Sequence, residues 1–303
     1  MGGGFDVVTG AFSYTGSGIA HALLTQGRRV RTLTGHPGRP GADPRIEAHP
    51  YRFDDPGALT RSLEGAEHLF NTYWVRFDRG DTTFDGAIDR SGILFRAAER
   101  AGVKRVVHVS VTHPDIDSRF PYFRGKAIVE RMLAETCTSW AVVRPTVIFG
   151  PGDILMNNLA WLLQRFPVFA IAGDGTYRVR PVHLDDVAAL CLDLARRDEP
   201  LSVDAVGPDT FTFEEMIMQI RGAVGGRSRI VHVAPRLARA AAAAVGLAVR
   251  DVLATDHELG GLMTEKAFSD APTTGQIRFA KWIREAGPGL GCRYASEIRR
   301  HFR

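Results

Sequence analysis

Tyr122 and Lys126 stand four residues apart in Tyr122-Phe123-Arg124-Gly125-Lys126. On a helix that spacing puts both side chains on one face. The chemistry open to such a pair is proton transfer. A phenol with an ordinary pKa near 10 is a poor acid–base group at neutral pH, and a neighbouring ammonium favours its phenolate. Lowering it by about three units takes roughly 4 kcal/mol of differential stabilisation, a demand that a partly buried lysine and a positively charged cofactor ring can share. The chain carries 34 arginines and only four lysines, Lys104, Lys126, Lys266 and Lys281. A compact, tunable ammonium at this place therefore stands out against a background of guanidinium groups. The alternative is a coincidence of helical spacing.

Just ahead of this pair, Val106-Val107-His108-Val109-Ser110-Val111-Thr112 reads as an apolar strand ending in hydroxyls. A hydroxyl at the carboxyl end of a strand can hydrogen-bond a substrate carbonyl or alcohol and join a proton relay. Ser110 is the first candidate and Thr112 the second. Capping a loop is the ordinary role for either.

The elements that must position these groups begin at the N-terminus. Phe5-Asp6-Val7-Val8 reads as a short buried strand, Thr9-Gly10-Ala11-Phe12-Ser13-Tyr14-Thr15-Gly16 as a small-residue turn, and residues 19–24 as a helix. Strand, small-residue turn and helix build the first βα unit of a nucleotide-binding sheet. Gly10 allows the turn, Gly16 allows close packing of helix on sheet, and the helix N-terminus offers N–H groups to a pyrophosphate. Ser13 replaces an expected glycine, and its hydroxyl or N–H is expected to face the phosphates. NAD sites usually place an acid at the end of the second strand. No Asp or Glu occurs between Ser17 and Ala42, while His36 and Arg39 follow that strand. NADP is therefore preferred over NAD.

Further apolar runs at 29–33, 46–53, 68–73, 105–111 and 140–149 read as strands, with helical periodicity clearest at 83–101 and 122–135. This alternation predicts an α/β fold, a Rossmann-like doubly wound parallel sheet with a smaller, mostly C-terminal substrate domain. Residues 1–150 form the dinucleotide-binding domain, with 181–200 returning to it. Residues 151–180 and 201–303 form the smaller domain. Asp185 is expected to cap a helix over 185–195.

The 303 residues, 45% hydrophobic and 24% charged, suit a globular chain with a sizeable core. Scattered basic residues and a net charge of +4 argue against nucleic-acid binding. Cys137, Cys191 and Cys292 form no metal or redox motif, which predicts no metal site and a cytoplasmic setting. Met1-Gly2-Gly3-Gly4-Phe5 lacks the features of a signal peptide. The apolar stretch 240–249 is too short to span a bilayer.

Taken together, Thr9–Gly16, Asn71-Thr72, Tyr122…Lys126, the run Arg144-Pro145-Thr146-Val147-Ile148-Phe149-Gly150-Pro151-Gly152-Asp153 and Pro181-Val182-His183-Leu184-Asp185-Asp186-Val187-Ala188 resemble the short-chain dehydrogenase/reductase superfamily, of the extended or atypical kind. The likeness spans roughly residues 5–225. The later part, including Gly291-Cys292-Arg293-Tyr294-Ala295-Ser296, resembles bacterial relatives of the nucleotide-binding accessory subunit of respiratory complex I. The resemblance implies an NAD(P)H-dependent oxidoreductase moving hydride between the nicotinamide and a carbonyl or alcohol carbon. In it Tyr122 is the acid–base, Lys126 sits on the ribose and Ser110 helps. It also implies cofactor contacts at Gly10, Phe12, Ser13, Tyr14, Thr15, Gly16, Asn71, Thr72, Pro145 and Thr146. Asp54 falls to the adenine amino group or to a helix cap near Pro56. Trp74, Asn157 and Arg178 fall to the side of a small-molecule substrate, and the assembly to a monomer or homodimer. Two departures from the family pattern are Ser13 and the short gap of twelve residues from Ser110 to Tyr122. An epimerase or dehydratase would use the same groups, and a non-catalytic NAD(P)-binding redox-sensing or assembly protein is the alternative from another class.

Overall fold

The computed structural model describes residues 4–302, with side chains as far as residue 299. The expectation about a leader at residues 1–3 lies outside them. Strands and helices alternate at first: β1 (Phe5–Thr9), α1 (Tyr14–Thr25), β2 (Arg29–Thr34), β3 (Ile46–Pro50), α2 (Pro56–Leu63), β4 (Ala66–Asn71), α3 (Phe84–Arg100), β5 (Arg105–Val109), α4 (Pro121–Thr136) and β6 (Trp140–Pro145). Then come β7 (Ile148–Phe149), α5 (Ile154–Arg165), β8 (Val168–Ala172), β9 (Arg178–Val179), β10 (Val182–His183), α6 (Leu184–Ala195) and β11 (Leu201–Ala205). The chain finishes with β12 (Phe211–Thr212), α7 (Phe213–Ala223), β13 (Arg229–Val233), α8 (Pro235–Val249), α9 (Asp256–Met263), α10 (Phe279–Ala286) and α11 (Glu297–Phe302).

Two compact units result. The first holds the chain up to Pro145 together with Leu184–Ala205, and the second holds Thr146–His183 and everything from Val206 on. In the first unit seven strands form one parallel sheet in the order β11-β6-β5-β4-β1-β2-β3. The reversal of strand order beside β1 is where doubly wound sheets hold ligands, at the strands' carboxyl ends. Val7, Leu33, Leu69, Val106 and Val142 from the strands pack with Leu59, Leu63, Leu94, Phe95, Val129 and Leu133 from the helices. The segment that returns to this unit brings α6 and then β11, which pairs with β6. Strand β10 pairs with β7 in the second unit.

Local chemistry sets the helix starts. Asp55 accepts from the Ala58 N–H and Thr83 from the Gly86 N–H, capping α2 and α3. Pro56 and Pro121 stand at the first helical positions of α2 and α4, where a missing N–H costs nothing. Helix α6 starts at Leu184, so Asp185 lies inside its first turn with Asp186 and is not the cap. There both carboxylates face the positive end of the helix dipole.

At the amino end of the sheet, buried Asp6 takes a bidentate bond from Arg28 and one from His68 Nδ1. Arg28 also pairs with Glu67. Asp6, Glu67 and His68 come within ligand distance of one another. Arg28 and Lys104, which lies 3.3 Å from Glu67 Oε1, together balance the two carboxylates.

In the second unit, Phe149, Met156, Leu163, Ile171, Ile217, Ile220, Phe279 and Ile283 form the core. Strand β13 pairs in parallel with β8, and β12 antiparallel with β9. Arg180 braces its loops, donating to the carbonyls of Gly207, Ser269 and Ala271. Among the described residues no helix is long and apolar enough to cross a membrane.

Candidate nucleotide and acid–base site

Gly10 ends β1 with φ +63°, and its N–H donates to the Leu33 carbonyl at 2.8 Å. A side chain there would be strained by the left-handed backbone. At Gly16 the constraint is space. A Cβ would lie 2.2 Å from the Gly10 oxygen and 3.1 Å from the Thr9 oxygen, both backbone. Helix α1 therefore sits directly against the end of β1. Its first turn has no side-chain cap and no acidic residue, and an α-helix leaves its first N–H groups without intrahelical partners. Such an N-terminus, approached over glycine, fits the pyrophosphate of a dinucleotide.

Ser13 turns inward. Its N–H and its hydroxyl both donate to the Gly10 carbonyl, at 2.8 and 2.7 Å. The structure thus uses this hydroxyl to close the loop on itself, because the tight turn leaves the Gly10 oxygen within its reach. Arg39, far off in sequence, donates from Nη1 to the Phe12 carbonyl at 2.9 Å, so a cation lies on the loop. The His36 N–H is held by Thr34 Oγ1 at 3.2 Å. Asp54 is exposed, and Asp55 is the residue that caps α2.

A buried polar lattice ties the strand ends together. Thr72 donates from Oγ1 to the Thr9 carbonyl at 2.6 Å, and its N–H donates to Thr9 Oγ1 at 2.7 Å. Asn71 Oδ1 accepts from Thr9 Oγ1 at 3.0 Å and from the Tyr73 N–H at 3.1 Å. Its Nδ2 is thereby the donor to His108 Nδ1, 3.0 Å away. The backbone N–H of Tyr73 fixes the amide orientation, and the amide fixes the imidazole tautomer, with the proton on Nε2. Burial first, and then the Lys126 charge, hold His108 well below its usual pKa, so the ring is neutral.

Tyr122 and Lys126 lie on α4, with Tyr122 in its first turn. Lys126 is 3% exposed, and Nζ donates to the Val109 carbonyl at 3.0 Å. Burial pulls its pKa down to about 7, against the pull of Glu130, which pairs with Arg144. The bonded carbonyl lies between His108 and Ser110. The side chains of those two residues are buried, and His108 Nε2 and Ser110 Oγ have no hydrogen-bond partner among the described residues. Thr112 is fully buried, its N–H on the Pro145 carbonyl at 3.3 Å.

Trp74 completes this arrangement. Its ring centroid is 4.8 Å from Lys126 Nζ and 6.1 Å from that of Tyr122, edge to face. It stacks on Phe84 at 6.0 Å. Sequence reasoning placed Trp74 on the substrate side and did not single out Gly125 or His108. Two signals were available: a glycine inside a helix, which costs about 1 kcal/mol against alanine, and a histidine within an apolar strand.

The remaining candidates make bonds within their own units. Pro145 ends β6, paired with Ala205 of β11. In the second unit, Thr146 Oγ1 donates to the Arg180 carbonyl. Asn157 Nδ2 donates to the Arg293 carbonyl at 2.9 Å, and its Oδ1 accepts from the Gly291 N–H at 3.1 Å. Arg178 pairs with Glu265 at 2.7 Å and lies 3.9 Å over the Phe268 ring. Asn157 and Arg178 thus both make bonds that hold their own unit together.

A model of the NAD dependent epimerase/dehydratase family matches residues 7–203. The chain is 27% identical over 198 residues to the mitochondrial NADH dehydrogenase [ubiquinone] 1 alpha subcomplex subunit 9 of Dictyostelium discoideum, covering 56% of this chain and 55% of that one. It spans about half the length of the subunits of that name that it matches. It is 26% identical to the ceramide reductase of Caulobacter vibrioides, covering 76% of this chain and 74% of that protein. The fold is shared with the Citrobacter sp. triphenylmethane reductase complexed with NADP(H), at a TM-score of 0.68 and 16% identity, over 93% of this chain and 99% of that one.

Proposed function

Because the chain belongs to the NAD dependent epimerase/dehydratase family, we propose that it is an NAD(P)-dependent oxidoreductase acting on a carbonyl or alcohol carbon, with Tyr122 as its acid–base. The observation that carries this reading is the placement of Lys126, buried one helical turn from Tyr122 and bonded to the carbonyl next to Ser110. The glycine loop and the first turn of α1 would hold the pyrophosphate, and Lys126 a ribose hydroxyl. The bound dinucleotide supplies or accepts the hydride. Tyr122 gives its proton to the oxygen of a carbonyl being reduced, or takes it from an alcohol being oxidised. Lys126, charged, stabilises the phenolate that remains. Ser110 Oγ, with no other partner among the described residues, donates to the same oxygen.

Arg39 on the Phe12 carbonyl and the acid-free stretch after β2 favour NADP over NAD. The test is turnover of NADPH and NADH against a carbonyl panel, with nucleotide affinity measured in parallel. Tyr122→Phe should lose at least a hundredfold in turnover, in line with about 10²–10⁴ for a positioned acid–base group, and keep its nucleotide affinity. Tight nucleotide binding without turnover across the panel would overturn the reading in favour of a nucleotide-holding protein.

A further inference from the structure

Helix α4 offers a slot to an indole. Positions 122, 125 and 126 share one face, and the middle one is glycine. A Cβ on Gly125 would lie 2.8 Å from Trp74 Cη2 and 3.1 Å from Cζ2. The ring thus rests on the helix backbone, between the phenol and the ammonium. Phe84 stacks on the indole, with ring centroids 6.0 Å apart. Of the three Lys126 ammonium protons, one goes to the Val109 carbonyl, and the charge sits near the indole's π face.

We propose that Trp74 is a positioning residue of this site, its indole face holding the Lys126 ammonium in a slot that Gly125 keeps open. The proposal rests on the reading of Tyr122 and Lys126 as the working pair. An ammonium buried at this depth reverts to the neutral amine unless something replaces its lost water. The titratable and charged groups around it are few. Tyr122 and Glu130 lie on its own helix, Glu130 shared with Arg144 of β6, and His108 of β5 is neutral. None is a carboxylate hydrogen-bonded to Nζ. A desolvated cation–π contact with tryptophan, the strongest of the aromatic rings for this purpose, fills that role. A charged Lys126 can then stabilise a phenolate, and a neutral one cannot.

The experiment is a pH titration of the whole chain carrying ¹³Cε-lysine. Only four lysine resonances appear, and Lys126→Arg identifies the one of interest. Native Lys126 should titrate near 7. Trp74→Met keeps an apolar side chain without a π face, and the midpoint should fall by about one unit. Trp74→Phe, which keeps a ring, should restore most of that. Gly125→Ala should displace the indole and lower the midpoint with Trp74 in place. A midpoint unchanged in Trp74→Met and Gly125→Ala overturns the proposal. A rise overturns it too, because the indole would then only exclude water. The readout needs no substrate, so a normal shift in a protein without turnover would sink the oxidoreductase reading and leave only the indole–ammonium contact, whereas an unchanged midpoint in an active protein would overturn the role of Trp74 alone.

Discussion

Two glycines of α1 give opposed expectations for the same substitution. Both lie inside the helix, where alanine is better by about 1 kcal/mol. At Gly16 the new Cβ would be 2.2 Å from the Gly10 oxygen and 2.7 Å from the Gly10 carbon. Real contacts of this kind stay beyond 3.0 Å, so helix and strand must part by roughly 0.8 Å, and no rotamer change relieves a clash with backbone. Overpacking of this sort costs about 1–3 kcal/mol. The rigid neighbour puts Gly16→Ala near the top of that range, for a net loss of about 2 kcal/mol. At Gly18 the nearest atoms are Cγ and Cδ1 of Leu184 on α6, at 2.7 and 2.8 Å. That side chain can turn away, so Gly18→Ala should come out within about 1 kcal/mol of native. Thermal and urea unfolding, each with and without NADPH, check both variants. A nucleotide at a hundred times its Kd stabilises by about 2.7 kcal/mol, and Gly16→Ala should lose most of that increment because its displaced helix N-terminus no longer faces the phosphates. A Gly16→Ala protein at least as stable as native, and equally stabilised by NADPH, would refute the claim that close approach of α1 to β1 builds the site.

Arg39→Ala should weaken NADPH by about ten- to a hundredfold and NADH hardly at all, since a charge-assisted bond to phosphate contributes about 1.5–3 kcal/mol; parallel titrations of the two nucleotides measure the ratio. Burial pushes the Asp6 carboxyl upward, and the bonds from His68 and Arg28 more than reverse this, leaving it below the ordinary value. Asp6 therefore adds stability above about pH 4, and that contribution disappears as pH falls through its lowered pKa. Asp6→Asn should be less stable by about 3–5 kcal/mol at pH 7 and show a flatter stability profile below pH 4, as followed by urea unfolding across pH.

The strand–helix rhythm was legible because each buried parallel strand is a short apolar run, as in Val106 to Val109, bounded by turn residues. The helix that carries Tyr122 and Lys126 was legible from the helical periodicity of 122–135. Runs such as 46–53 and 105–111 overshot the strands, because apolar character continues through Tyr51, Phe53 and Val111 after the ladder has ended. The run 140–149 hides a break, since β6 stays with the first unit while β7 pairs with β10 in the second. No local pattern marks such a division. Arg39 on the Phe12 carbonyl, the inward turn of Ser13 and Trp74 against Lys126 are contacts across loops, and one chain's spacing carries no signal for them. Asp185 was expected as the cap but lies inside a helix that already starts at Leu184, because Leu184 gives no capping cue and the two carboxylates behind it do.

The return of Leu184–Ala205 to the first unit also sets a clock for synthesis. Strand β6 emerges with one edge ready to pair, and its partner β11 is made some 60 residues later. At about 5–20 residues per second that interval is roughly 3–12 s. During it the Val142–Val143 edge is an open template for a wrong strand. Arg105 waits too, because three of the carbonyls that hold its buried guanidinium belong to Leu194, Asp198 and Glu199. A ribosome paused before residue 205 would hold a six-stranded sheet with an unsatisfied edge. The nascent chain is then most exposed to chaperones and to aggregation, and a shortened protein ending at Pro145 would remain in that condition permanently.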